Sequence, residues 1–147
     1  MHKLLTALGI FTVATTASAE PIDRWWSGWS IGTSEYGYSS GKGDRLLISC
    51  SDDTGTNIAV QINSQSPKDA DMVVFAVDDD RVEFLANDTG GIGTLSRVDS
   101  DNFRYLWTKL RSGRKLNVSF GGMSTDLPLT GSSQALYGEP CTTDFDR

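Results

Sequence analysis

Apolar side chains recurring every second residue, cut at short intervals by aspartate and glycine, constrain this chain more than any other feature. Ile58, Val60 and Ile62 alternate with Ala59, Gln61 and Asn63, and Leu46, Ile48 and Cys50 alternate in the same way just upstream. A period of two sends successive side chains to opposite faces, so each run reads as a half-buried strand. Asp52-Asp53-Thr54-Gly55 lies between them. Asp bonds its own backbone and Gly accepts positive φ, so the two strands form a hairpin. A second hairpin pairs the dense apolar run Met72–Val77 with Arg81–Ala86, across an acidic tip of Asp78, Asp79 and Asp80. Leu116, Val118 and Phe120 give another strand. Trp29–Thr33 reads as the opening strand, Thr94–Val98 as a short one, and Asp126–Leu129 as a last one that Pro128 confines to a sheet edge.

One segment breaks this period. Phe103, Leu106, Trp107 and Leu110 fall at i, i+3, i+4 and i+7, the single stripe of an amphipathic helix. Asp99 or Ser100 caps its start in this reading, and Gly113 stops it. A short helical turn from Ser132 or Ser133 through Leu136 ends at Gly138. The expected fold is mainly β, sandwich-like antiparallel sheets with one substantial late helix.

The amino terminus reads as an export signal. Met1-His2-Lys3 is its positive start, Leu4–Ala14 its apolar stretch, and Ala17-Ser18-Ala19 a cleavage site before Glu20. The division is therefore a signal peptide over 1–19 and a single exported β-rich domain over 20–147. The apolar stretch is too short for a membrane span, which needs about 20 residues, so no transmembrane anchor is expected. Loss of Lys3 moves the formal charge from −6 to −7, and His2, the chain's one histidine, goes with it. A mature protein without imidazole runs no Ser-His-Asp or Cys-His catalysis and no His-ligated zinc site. Its acidity argues against nucleic acid, whose phosphates need a positive face. Two cysteines in an exported chain most simply form one disulfide, Cys50–Cys141, in the periplasm or outside the cell.

Several clusters bear on chemistry. Asp78, Asp79 and Asp80 are weak candidates for a calcium site, because their spacing is not that of an EF-hand loop. No phosphate-loop signature follows Gly90-Gly91-Ile92-Gly93, and no cofactor is expected. Between Phe103 and Met123 stand five cations, Arg104, Lys109, Arg111, Arg114 and Lys115, and no acid. Arg104 and Arg111 share one side of the helix, so Arg104, Arg111, Arg114 and Lys115 are candidates for an anionic partner. Trp25 and Trp26 are the aromatic candidates, which if exposed stack on sugar rings or anchor a protein partner; in the competing reading they cover a sheet end and Trp29 is core.

The order of features resembles small periplasmic proteins of the invasion-associated locus B family and the VasI-like accessory proteins of type VI secretion. The likeness is carried by Trp29, by Leu46-Leu47-Ile48-Ser49-Cys50, by Val74-Phe75-Ala76-Val77-Asp78-Asp79, by Leu110-Arg111-Ser112-Gly113-Arg114-Lys115-Leu116-Asn117-Val118, by Leu129-Thr130-Gly131-Ser132-Ser133-Gln134-Ala135-Leu136 and by Cys141. These are fold positions, and no catalytic signature is among them. The resemblance implies a β-sandwich-like exported domain with a flanking helix and the Cys50–Cys141 bond. The functional expectation is a non-catalytic accessory or binding protein of the bacterial envelope, associated with secretion or host interaction, whose partner is a protein or another envelope component. An inhibitor or immunity-type protein is the alternative. A small carboxylate-based hydrolase comes third.

Overall fold

The computed structural model describes residues 19–147. Residues 1–18, which hold nearly all of the expected signal peptide, lie outside the described residues. Two antiparallel sheets carry the fold. The first runs β1(Trp25–Ser30), β2(Thr33–Ser39), β3(Arg45–Ser51), β4(Gly55–Gln61) and the two-residue β7(Ile92–Gly93), hydrogen-bonded in that order. The second places β5(Met72–Val77) between β6(Asp80–Leu85) and β8(Lys115–Phe120), with β9(Met123–Pro128) outside β8. Helix α1(Arg97–Ser112) packs on β5 and β6, and the single turn α2(Ser132–Ala135) packs between α1 and β1.

The alternating residues meet where the pattern sends them. Leu46, Ile48, Ile58 and Val60 of the first sheet and Val73, Phe75, Val82, Phe84, Leu116, Val118 and Phe120 of the second are buried in one core. Both expected hairpins form, with Leu46 opposite Val60 and Phe75 opposite Val82. Pro128 ends β9 at an edge, where its missing N–H breaks no ladder.

The helical stripe is buried throughout: Phe103, Leu106, Trp107 and Leu110 are inaccessible. Trp107 meets the Tyr36 ring edge-on at 5.0 Å and donates its indole N–H to the Gly138 carbonyl at 3.4 Å. It therefore joins the helix, β2 and the segment after α2. The helix begins earlier than the sequence suggested. Ser96 is its cap, with Oγ accepting from the Asp99 N–H at 3.0 Å. Neither Asp99 nor Ser100 caps it, because Ser100 is buried and turned to Thr143 at 2.7 Å. The helix consequently takes the chain expected as a strand over Thr94–Val98, leaving only Ile92–Gly93 in the sheet.

The opening strand also differs from the expected one. It runs Trp25–Ser30 and turns over Ile31 and Gly32, so Trp29–Thr33 is the bend of a hairpin rather than a strand. The carboxyl-terminal tail then straps the sheet to the helix. Cys50 and Cys141 form the disulfide, with Cα atoms 5.9 Å apart. The Asp144 carboxylate accepts from the Thr56 N–H at 3.1 Å and the Thr94 hydroxyl at 3.1 Å. Asp146 accepts from Thr143 and pairs with Arg104. Gly55 turns the chain at φ 88°, which favours glycine, and a Cβ there would also displace the Asp144 carboxylate from its place. Among the described residues no helix is long and apolar enough to cross a membrane.

Truncating Trp107 removes the contact shared by three segments. Trp107→Ala is expected to lower unfolding free energy by about 3–5 kcal/mol, read as a shift of the denaturant midpoint. A loss below about 1 kcal/mol would show that the stripe is not held as described.

Candidate functional site

Charge was expected to concentrate in the segment after Phe103, but the fold brings acids to it from elsewhere. Arg104 pairs with Asp101 at 2.8 Å and with Asp146. Lys109 reaches Asp80 at 2.6 Å, and Lys115 reaches Asp126 at 3.2 Å. Arg111 donates to the Gly138 carbonyl at 3.1 Å. Arg114 is exposed. The structure thus does not gather Arg104, Arg111, Arg114 and Lys115 into one uncompensated patch.

The acidic hairpin tip is occupied by the same pairings. Asp78, in left-handed conformation with φ 51°, accepts from the backbone N–H groups of Arg114 and Lys115. The ammonium of Lys109, with the Tyr105 hydroxyl, holds the Asp80 carboxyl below the usual aspartate range, and Asp80 in turn raises Lys109. Among the described residues no group of three His, Cys, Asp or Glu side chains is placed to hold a metal ion.

The aromatic assignments reverse. Trp25 is buried, donating its indole N–H to the Pro128 carbonyl at 2.7 Å, and is not available at the surface. Trp26 lies partly buried on the opposite face, with its ring over Gly28 and Gly37. Its indole N–H is buried without a partner. Trp29, expected in the core, is 72% exposed. Alternation puts Trp29 on the face of β1 that carries Trp25, but nothing from the second sheet covers it there.

Trp29 belongs to a prominent hairpin tip. Ser30 pairs with Thr33 across a two-residue turn, with φ 48° at Ile31 and 74° at Gly32. Positive φ at both central residues is the type I′ turn, where Asn-Gly is the favoured pair. Ile31 is β-branched, so the left-handed conformation crowds its Cβ against its own carbonyl. Its side chain is also 94% exposed, so no packing compensates. A strained residue that supports no fold contact is a mark of a surface kept for another purpose.

Beneath this tip is a cleft of about 230 Å³ lined by Trp29, Ser34, Tyr36, Asp52, Glu139, Thr142, Arg147 and the Cys50–Cys141 bond. Burial pushes the Tyr36 hydroxyl up, and the neighbouring Tyr137 adds to the shift. Arg147 is fixed by donating to the Ser51 and Asp52 carbonyls at 2.7 and 2.8 Å. A larger hollow of about 750 Å³ lies at the other end of the sheet, where Asp44 accepts from the Asn63 N–H and the Thr125 hydroxyl and so joins the two sheets. Sequence reasoning missed the tip because periodicity reports the face of a strand and not where the opposing sheet ends.

Residues 23–136 match the model of the YfjT family, and the chain belongs to that family. The match includes Trp29, Ile31 and Asp52, and stops short of Glu139, Cys141 and Arg147. No curated protein and no solved structure matches the chain.

Replacing Ile31 with asparagine tests the strain. Ile31→Asn is expected to raise stability by about 1 kcal/mol, since asparagine visits the left-handed region readily. Thermal unfolding reads it as a rise of a few degrees. A lowered melting temperature would mean that Ile31 packs on the fold.

Proposed function

We propose that this YfjT-family protein is a non-catalytic accessory protein, exported into the bacterial envelope, that binds an envelope component through the Trp29 end of its five-stranded sheet. One observation carries the reading. Trp29 and Ile31 stand exposed together on a turn whose conformation is unfavourable for isoleucine. Tryptophan is the residue most enriched where binding energy concentrates.

Other features support the setting. The Cys50–Cys141 disulfide suits an oxidising compartment, as the amino-terminal signal pattern does. Histidine occurs only at position 2, so the remaining chain lacks the commonest acid–base catalyst. Under this proposal the resemblance to invasion-associated locus B and VasI-like proteins is one of architecture, with the role in secretion or host interaction proposed alongside it. The inhibitor reading is favoured by one detail: beside Trp29 the turn projects Ile31, 94% exposed, as a blocking loop would.

Envelope fractions of the source bacterium supply the test. The mature protein is expected to co-sediment with them, and the double variant Trp29→Ala/Ile31→Ser to remain about tenfold more in the supernatant. Both positions are exposed, so the variant's melting curve should stay close to wild type. Equal co-sedimentation of the two proteins would overturn the assignment of binding to this tip.

A further inference from the structure

The geometry points to a sugar ring as the occupant of the cleft beneath Trp29, and we propose that the envelope component bound here is an uncharged glycan. This inference rests on the binding reading above and adds the ligand's chemistry. The cleft, about 230 Å³, is smaller than the roughly 300–1,000 Å³ of pockets for drug-sized ligands, so it suits one small ring.

Its lining is mainly polar, with one apolar element at its edge. Trp29 is that element, an indole 72% exposed and free to be covered. The rim holds Asp52 and Glu139, which accept hydrogen bonds, Arg147, which donates them, and the hydroxyls of Ser34 and Thr142, which do both. A pyranose divides in the same way. Its axial C–H face is apolar, and its equatorial hydroxyls both donate and accept.

Charge separates this ligand from its competitors. An anion would face the carboxylates of Asp52 and Glu139. A cation would be drawn to Asp52 and Glu139 but would also meet the Arg147 guanidinium, which two backbone carbonyls hold in place and Asp144 flanks at 3.6 Å, so the cationic tetramer is the competitor the titration has to separate. An aliphatic side chain would take water from Asp52 and Glu139 and give them no donor in exchange, a costly burial. A neutral polyol supplies donors to the carboxylates and acceptors to the guanidinium, and leaves no charged group unsatisfied. The walls are also fixed before binding. Strand β2 supplies one and the tail the other; the disulfide ties the tail to Cys50 on β3, whose ladder pairs Cys50 with Ser34 of β2. Little ordering is left to oppose association.

The experiment titrates the mature protein with three probes: an N-acetylglucosamine tetramer, its fully deacetylated cationic counterpart, and an anionic galacturonate tetramer. Amide NMR spectra and tryptophan fluorescence report binding. The neutral tetramer is expected to shift the Trp29, Ser34 and Thr142 signals and to bind at least about tenfold more tightly than either charged probe. Raising salt tenfold should change that affinity less than about twofold, because no charge attraction is screened. Trp29→Phe keeps a stacking face and should bind within a few-fold, whereas Trp29→Ala should lose about tenfold or more with its melting curve unchanged. Three results would overturn the inference: no shift at millimolar neutral tetramer, equal or tighter binding of a charged tetramer, or undiminished binding by Trp29→Ala. If the sugar fails while envelope retention still depends on Trp29, the partner is a protein and only the glycan assignment falls.

Discussion

The carboxyl-terminal tail, tied down by one covalent bond, fixes the geometry on which the rest of this molecule relies. Cys141 reaches back 91 residues to Cys50, and closing so long a loop removes about 4–5 kcal/mol of unfolded-state freedom in the chain-entropy account. The bond places Thr143, Asp144 and Asp146 against three different elements. Asp144 meets β4 at Thr56 and the segment after β7 at Thr94, while Asp146 and Thr143 meet the helix at Arg104 and Ser100. Without the tail, Thr56, Thr94 and Ser100 would be polar groups at the surface of the core with lost partners, and one wall of the Trp29 cleft would be missing.

What the sequence made legible was what depends on near neighbours. The alternation of Leu46, Ile48, Ile58 and Val60 and the stripe of Phe103, Leu106, Trp107 and Leu110 both report local geometry, and both ended in the core. What it hid depends on distant packing. The cations after Phe103 stand without acids along the chain, yet Asp80, Asp126 and Asp146 come to Lys109, Lys115 and Arg104 from other elements. Two of the three aspartates read as an ion site, Asp78 and Asp80, hold the start of β8 and α1 against the β5–β6 turn. Trp25 and Trp29 are indistinguishable by period. Only the extent of the second sheet buries one and leaves the other open.

That difference separates stability from function in one strand. Trp25 contributes to the core through its ring and its bond to Pro128, while four residues later the same face offers an indole to solvent. The adjoining turn uses Ile31 where asparagine would be easier, a local cost that no internal contact offsets. Local sequence and fold disagree at this turn, and such disagreement is where binding surfaces are sought. The tip and the tail strap are linked through the cleft, since Glu139, Thr142 and Arg147 line it from the tail that Cys141 anchors.

Amide hydrogen exchange on the oxidised protein and on Cys141→Ser tests the role of the strap most directly. Protection at Thr56 and Asp144 is expected to fall toward the unfolded rate in the variant, with β5 and β8 amides losing protection only as global stability drops by a few kcal/mol. Unchanged protection at Thr56 and Asp144 after loss of the bond would show that the tail is held by its side chains alone, and would contradict the account.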